Sequence, residues 1–305
     1  MGAVGVPGLS YGFDTCLLCL VEEGCTVSFI QRGYLNNKSR IRRSPRKSLG
    51  QHFLVDGAYL NRIINASKIS GSDVVLEVGP GKGALTSRLI DAASKVICIE
   101  IDQELADILP EKLGAPANLT VVNADARQVN IDEIMNGQKY KLVANLPYYA
   151  ATPIIRRFLE DESPPELLVV MVQREVARAM VAKPGNMSVL SVATQCYADS
   201  RLVCHVPAKA FRPPPAVVSS VVLLEPRSEP YIVREKRDAF FSIVRAGFSA
   251  RRKQLKNSLS HGLGVDNSIV AAGLHNADID GTRRAETLSL NEWVNLHVSM
   301  ETIIE

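Results

Sequence analysis

From residue 73 onward the chain alternates short Val/Ile/Leu runs with amphipathic segments, and that alternation restricts it to one architecture. "VVLEVG" (74–79), "KVICIEI" (95–101), "LTVVNAD" (119–125), "KLVANL" (141–146) and "ELLVVMVQ" (166–173) are continuous apolar runs of strand length. Among them lie "ALTSRLIDAA", "DQELADILPEKL" and "TPIIRRFLED", which read as helices. Asp102 is placed to start the second, and Thr152 to cap the third with Pro153 in its first turn. Strands that are apolar on both faces need cover on both faces. The expectation is therefore a doubly wound, Rossmann-like α/β domain with a mostly parallel sheet, whose ligands lie outside the carboxyl ends of the strands. Beyond Pro184-Gly185, "VLSVATQCYA" reads as a helix. "RLVCHVP" and "VVSSVVLLEP" read as two strands that close the sheet with an antiparallel, hairpin-like edge. The composition breaks around Pro226-Arg227-Ser228-Glu229-Pro230, and the pattern beyond is helical. This sets three regions: 1–40, 41–228 and a smaller helical domain over 229–305.

With 305 residues, 46% of them hydrophobic, the chain is long enough for two domains and a sizeable core. No apolar run approaches the ~20 residues that span a bilayer. The net charge of +3 is unevenly placed. No acid lies between Glu23 and Asp56, whereas Arg32, Lys38, Arg40, Arg42, Arg43, Arg46 and Lys47 all do. Such a stretch is either a solvated leader or an arm that contacts a polyanion. Cys98, Cys196 and Cys204 sit in apolar stretches and read as buried thiols, while Cys16, Cys19 and Cys25 lack the second pair that a zinc site needs. No metal is expected, and the compartment is expected to be reducing and cytoplasmic. The run "TCLLCL" is too short for a signal core and follows Asp14, so residues 1–40 are expected to form a poorly ordered extension.

Four strand ends carry chemistry. "EVGPGKGALT" (77–86) places Gly79, Gly81 and Gly83 after the first strand, where a ligand has to approach the backbone closely. The spacing Gly79-x-Gly81-x-x-Ala84 also satisfies a dinucleotide fingerprint, and no Gly-Lys-Ser/Thr ends it as in a phosphate-binding P-loop. Glu100 ends the second strand about 20 residues further on, where a carboxylate can accept both hydroxyls of a ribose. Asp125, in "NADAR" (123–127), ends the third and can accept from an adenine amino group. To this point S-adenosylmethionine and NAD are equally suited.

"NLPYY" (145–149), at the end of the fourth strand, separates them. The lone pair of adenine's exocyclic amine is delocalised into the ring, so the amine is a poor nucleophile. Two acceptors on its hydrogens favour a pyramidal nitrogen aimed at a methyl donor. The Asn145 carboxamide oxygen and the Leu146 carbonyl can be those acceptors, Pro147 stiffens the turn, and Tyr148 can stack on the base. Stacking also compensates a base drawn out of its helix. His205, alone in "LVCHVP", reads as a structural residue rather than a base.

"KSLGQHFL" (47–54), "EVGPGKGALT", "IEID" (99–102), "NADAR", "NLPYY", "VQREVARAM" (172–180), "FRPPPAVVSS" (211–220) and "RRKQLKNSL" (251–259) follow one another in an order that resembles the bacterial small-subunit rRNA adenine dimethyltransferases over roughly residues 45–300. The resemblance implies a class I methyltransferase fold and S-adenosylmethionine as donor. It also implies dimethylation of two adjacent adenosines near the 3′ end of the small-subunit rRNA, in an immature subunit, by a monomer. It implies cofactor contacts at His52, Leu54, Gly79, Glu100, Asp125 and Asn145, with Gly81 and Ala126 beside them. His52 stands where many members have Asn. Asn145, Leu146 and Tyr148 would hold the target base, and Phe211 would be a second aromatic wall. Lys38 to Lys47, and Arg245, Arg251, Arg252, Lys253 and Lys256, would then be RNA contacts, with Arg252 and Lys256 sharing a helix face at i, i+4 spacing. A large-subunit enzyme of the same chemistry, a ribosome-assembly factor and, more remotely, an NAD-dependent dehydrogenase remain the alternatives.

Overall fold

The computed structural model describes residues 52–304. The basic stretch from Arg32 to Lys47 and Cys16, Cys19 and Cys25 lie outside the described residues. In chain order the elements are β1 (Phe53–Leu54), α1 (Gly57–Ser67), β2 (Val74–Val78), α2 (Thr86–Ala92), β3 (Lys95–Glu100), α3 (Gln103–Lys112), β4 (Leu119–Asn123), α4 (Ile131–Met135), β5 (Lys141–Asn145), α5 (Ala151–Leu159), β6 (Leu167–Gln173), α6 (Arg174–Met180), α7 (Val189–Gln195), β7 (Ala198–Val206), β8 (Phe211–Arg212), β9 (Ser219–Pro226), α8 (Arg237–Phe248), α9 (Leu255–Leu263), α10 (Asn267–Asn276) and α11 (Leu290–Ile304).

Seven strands form one sheet in the order β4-β3-β2-β5-β6-β9-β7. The first five are parallel, and β9 runs antiparallel to both β6 and β7. The expected hairpin edge is present, but its second strand inserts between β6 and β7, leaving β7 at the edge with a register shift between Leu202 and Cys204. From β2 the chain winds outward to β3 and β4, then returns to place β5 and β6 on the other side of β2. The direction of winding therefore reverses between β2 and β5. A crevice opens at such a reversal because the flanking loops diverge to opposite faces of the sheet.

Alternate residues of the buried strands feed two cores, as pleating requires. Val75, Val96, Val143 and Val169 pack on one face with Leu60, Leu89 and Leu109 of the covering helices. Leu76, Ile97, Leu142 and Val170 pack on the other with Ile155 and Phe158. The second cluster continues without interruption into Phe240, Trp293 and Leu296 of the C-terminal helices. Trp293 is fully buried and stacks on Phe248 at 5.4 Å.

Side-chain caps begin α1, α3, α4, α7 and α10. The Asp102 carboxylate accepts from the N–H groups of Glu104 and Leu105 and so begins α3. Thr152 does not cap α5. The turn Pro147–Ala150, closed by Ala150 N–H on the Pro147 carbonyl at 3.0 Å, runs directly into the helix, which therefore starts at Ala151 without a side-chain cap. Arg252 and Lys256 do not share a helix face, because α9 begins only at Leu255 and Arg252 lies in the preceding turn. Cys98 and Cys196 are buried, and Cys204 is half-buried.

Candidate active site

The carboxyl ends of β2, β3, β4 and β5 surround a cavity of about 1160 Å³, counted with its open mouth. Of the residues named from sequence as cofactor or target-base contacts, all but Phe211 line it. His52, Leu54, Gly79, Gly81, Glu100, Asp125, Ala126, Asn145, Leu146 and Tyr148 all face this one hollow.

The glycine turn is held open by backbone geometry and closed against β3 by a carboxylate. Gly79, Gly81 and Gly83 have φ of 71°, 54° and 80°, a region that side chains with a Cβ rarely adopt. A Cβ on Gly81 would come within 2.9 Å of the Phe53 ring, which packs beneath the turn. The Gly79 N–H donates to the Ile99 carbonyl at 2.9 Å. Glu100 accepts the Gly81 N–H through Oε2 and the Asp102 N–H through Oε1, both at 3.0 Å. It is 5% exposed, and burial raises its pKa above the ordinary glutamate value against the opposing effect of those two amides. Each carboxylate oxygen retains a second lone pair for a ligand hydroxyl.

Asp125 carries a partner that the sequence pattern does not disclose. The Arg127 guanidinium grips both of its oxygens, with Nε at 3.0 Å from each and Nη2 at 2.5 Å from Oδ2. That pairing holds the carboxyl below the usual aspartate range, so Asp125 is a fixed, ionised acceptor at the cavity wall.

Asn145 has its carboxamide oriented by the protein. Its Nδ2 donates to the His52 carbonyl at 3.3 Å, which leaves Oδ1 as the acceptor end. His52 in turn is tied at Nδ1 to the Pro213 carbonyl at 3.0 Å, so Nδ1 carries the hydrogen. Its ring stacks on Tyr148, with centroids 6.0 Å apart and planes 28° apart. The Tyr148 hydroxyl is 2.7 Å from Ser219 Oγ, and burial raises the pKa of this phenol. The tyrosine plate is thus held from two sides, by β9 and by the segment preceding β1.

Phe211 does not form a wall of this cavity. β8 pairs with β1 in the register Leu54↔Phe211, which turns the Phe211 ring into the core, where it is fully buried. Glu77, Ile101 and Tyr149 are lining residues outside the named set. Ile101 is 49% exposed and has one sequence signal, its place directly after a strand-end acid. Burial pushes the Glu77 carboxyl up to about 7, and the Cys98 thiol donates to it at 3.5 Å. His205 lies outside the cavity, and its Nδ1 is 2.8 Å from Ser220 Oγ, consistent with a structural residue. Arg245, Arg251, Arg252 and Lys253 are exposed, and Lys256 is half-buried. Among the described residues no His/Cys/Asp/Glu group is arranged to hold a metal, and no helix is long and apolar enough to cross a membrane.

Comparison with known proteins gives a consistent picture. Residues 42–298 match the family described as Ribosomal RNA adenine dimethylase. The chain is 46% identical over 250 residues to a ribosomal RNA small subunit methyltransferase A of Dehalococcoides mccartyi, covering 81% of this chain and 86% of that protein. Among solved structures, a dimethyladenosine transferase from Plasmodium falciparum superposes with a TM-score of 0.71 at 26% identity, covering 83% of this chain and 98% of that one. The 23S rRNA methyltransferase ErmE superposes with a TM-score of 0.65 at 29% identity, covering 82% and 99%.

Proposed function

Because the chain belongs to the ribosomal RNA adenine dimethylase family, we propose that it uses S-adenosylmethionine to dimethylate the exocyclic amines of two adjacent adenosines near the 3′ end of small-subunit rRNA. The small-subunit substrate, rather than a large-subunit one, is supported by identities of 46% and 41% over most of the chain to ribosomal RNA small subunit methyltransferases A. The substrate particle is an immature small subunit. We propose that it acts as a monomer.

The residues present fit the donor. Glu100 and the Gly79–Gly81 turn form a cradle without side-chain obstruction, and Ile101 and Ala126 offer apolar surface beside the Asp125 acceptor. Glu100 would hold the ribose hydroxyls, Asp125 the adenine amine, and His52, Leu54 and Gly79 the remainder. When bound, S-adenosylmethionine supplies an electrophilic methyl group on a sulfonium centre.

The protein's own contribution is positional. Asn145 Oδ1 and the Leu146 carbonyl accept the two hydrogens of the target amine, which localises the nitrogen lone pair. Tyr148, held by Ser219 and His52, supplies the stacking surface that an extruded base has lost. Fixing nucleophile and methyl in line converts an encounter into an intramolecular alignment, which is the main source of acceleration. No strong base is required, since the proton released from a methylated arylammonium passes to water. The exposed cations of the turn after α8, with Arg245, support phosphate contact by the helical domain over 229–305.

The observation that carries this reading is the convergence at one chain reversal of an open glycine turn, two anchored carboxylates and an Asn whose oxygen is the only end left to accept. Incubating undermethylated small subunits with methyl-labelled S-adenosylmethionine and mapping the labelled nucleotides tests it. The expected product is N6,N6-dimethyladenosine at two neighbouring positions. No label on the small-subunit RNA, or label confined to a ring nitrogen, overturns it.

A further inference from the structure

Tyr148 and Tyr149 are consecutive, yet the fold uses them differently. Tyr148 is half-buried and pinned by its hydroxyl. Tyr149 is 56% exposed, although it lines the same cavity. An aromatic ring left open to water at the mouth of an active site gives up burial that the core could have supplied. Two cations share this mouth. Lys82 is exposed on the glycine turn, with its Nζ 4.5 Å above the Phe53 ring. Arg127 is held in place through Asp125 while its side chain stays 44% exposed, and the Tyr149 phenol lies within electrostatic reach of it.

From these we infer a second nucleotide subsite at the cavity mouth, in which Tyr149 stacks on the base adjacent to the target and Arg127 and Lys82 face the connecting phosphates. The inference rests on the proposed reading of the cavity as the methyl-transfer site. When one adenosine is drawn into the hollow, its neighbour loses a stacking partner on one face and stays joined to it by a single phosphate. An exposed aromatic ring flanked by cations matches both needs, because a π-face accepts any base and the cations neutralise the phosphate that must pass between the subsites. For a substrate of two adjacent adenosines, each serves as neighbour while the other is modified.

Base–aromatic stacking is worth ~1–3 kcal/mol, so its loss is expected to lower kcat/KM about tenfold. The test crosses protein and substrate changes. Small subunits are reconstituted with either the natural nucleotide or an abasic one beside a single target adenosine, and methylation of that target is measured with wild type, Y149A and Y149F. On the natural substrate Y149A is expected to fall about tenfold, while Y149F stays within twofold of wild type. On the abasic substrate wild type falls about tenfold, and Y149A loses nothing further. S-adenosylmethionine affinity stays within twofold throughout, which shows that the variants are folded. Wild-type rates from Y149A on the natural substrate overturn the subsite. So do equal proportional losses from Y149A on both substrates, which would place Tyr149 against the target base. A wild-type protein that methylates neither adjacent adenosine in natural subunits overturns the reading of the cavity itself, and the subsite with it.

Discussion

Glu100 is the residue on which the cofactor cradle depends most. It joins the glycine turn to the end of β3 through two backbone amides while lining the cavity, so Glu100→Ala removes a ligand contact and an anchor of the turn together. A fall in S-adenosylmethionine affinity of about 100-fold is expected, since charge-assisted hydrogen bonds contribute ~1.5–3 kcal/mol. Isothermal titration checks it, and an unchanged affinity would remove Glu100 from the site. Glu77 makes a different kind of prediction. Its carboxyl is fully buried with no cation against it among the described residues, and its pKa rises from 4.5 to about 7. The folded state therefore holds a proton that the unfolded chain releases. The associated stability is complete below pH 4.5 and is lost as pH rises to about 7. Glu77→Gln escapes this loss. Its stability relative to wild type should grow across that window by roughly 3 kcal/mol and level off above it, as measured by chemical denaturation. A difference independent of pH would contradict the assignment. Glu77, buried in a motif whose glycines draw the eye, shows why residue-scale reading stays incomplete. Burial and partner sets are three-dimensional quantities, as the Arg127 grip on Asp125 and the His52 hold on Asn145 also show.

At the scale of elements, the five parallel strands were legible because Val/Ile/Leu runs buried on both faces leave few other options, and the strand ends were legible because chain order fixes which loops meet. The two-residue ladder β1–β8 was not. It has no periodicity to detect, yet it decides that Phe211 faces the core and brings Pro213 within reach of His52. The start of α5 was misplaced for a related reason, since a tight turn can feed a helix without any capping side chain. The glycine turn tests the element picture. Gly81→Ala would require φ near 54° of an alanine and bring its Cβ to 2.9 Å from the Phe53 ring. The ring must move, and with it the floor of the cavity. Cofactor affinity should drop about tenfold or more, with overall stability reduced by ~1–2 kcal/mol. A fully active Gly81→Ala protein would show that this turn is not the cradle.

The described residues are held by a core that runs from the sheet into the C-terminal helices without a break, so the helical part is expected to unfold with the sheet rather than before it. Trp293 stacks on Phe248 and sits so close to Gly247 that a Cβ there would meet its ring at 2.5 Å. Trp293→Ala should destabilise the protein by about 3–5 kcal/mol while leaving a single unfolding transition. Two separated transitions would mean that the helices form an independent unit. The sequence change near residue 228 marks where strands end, but apolar composition alone does not reveal that the two regions share one interior. The most direct test of the common seat for methyl donor and target amine compares wild type with Asn145→Ala on the same preparation of undermethylated small subunits, measuring S-adenosylmethionine binding and label transfer side by side. Binding that falls modestly while transfer falls by at least 100-fold is the predicted outcome. Label appearing on the two adenosines at the wild-type rate would contradict it, because the amine would then need no acceptor at the tip of β5.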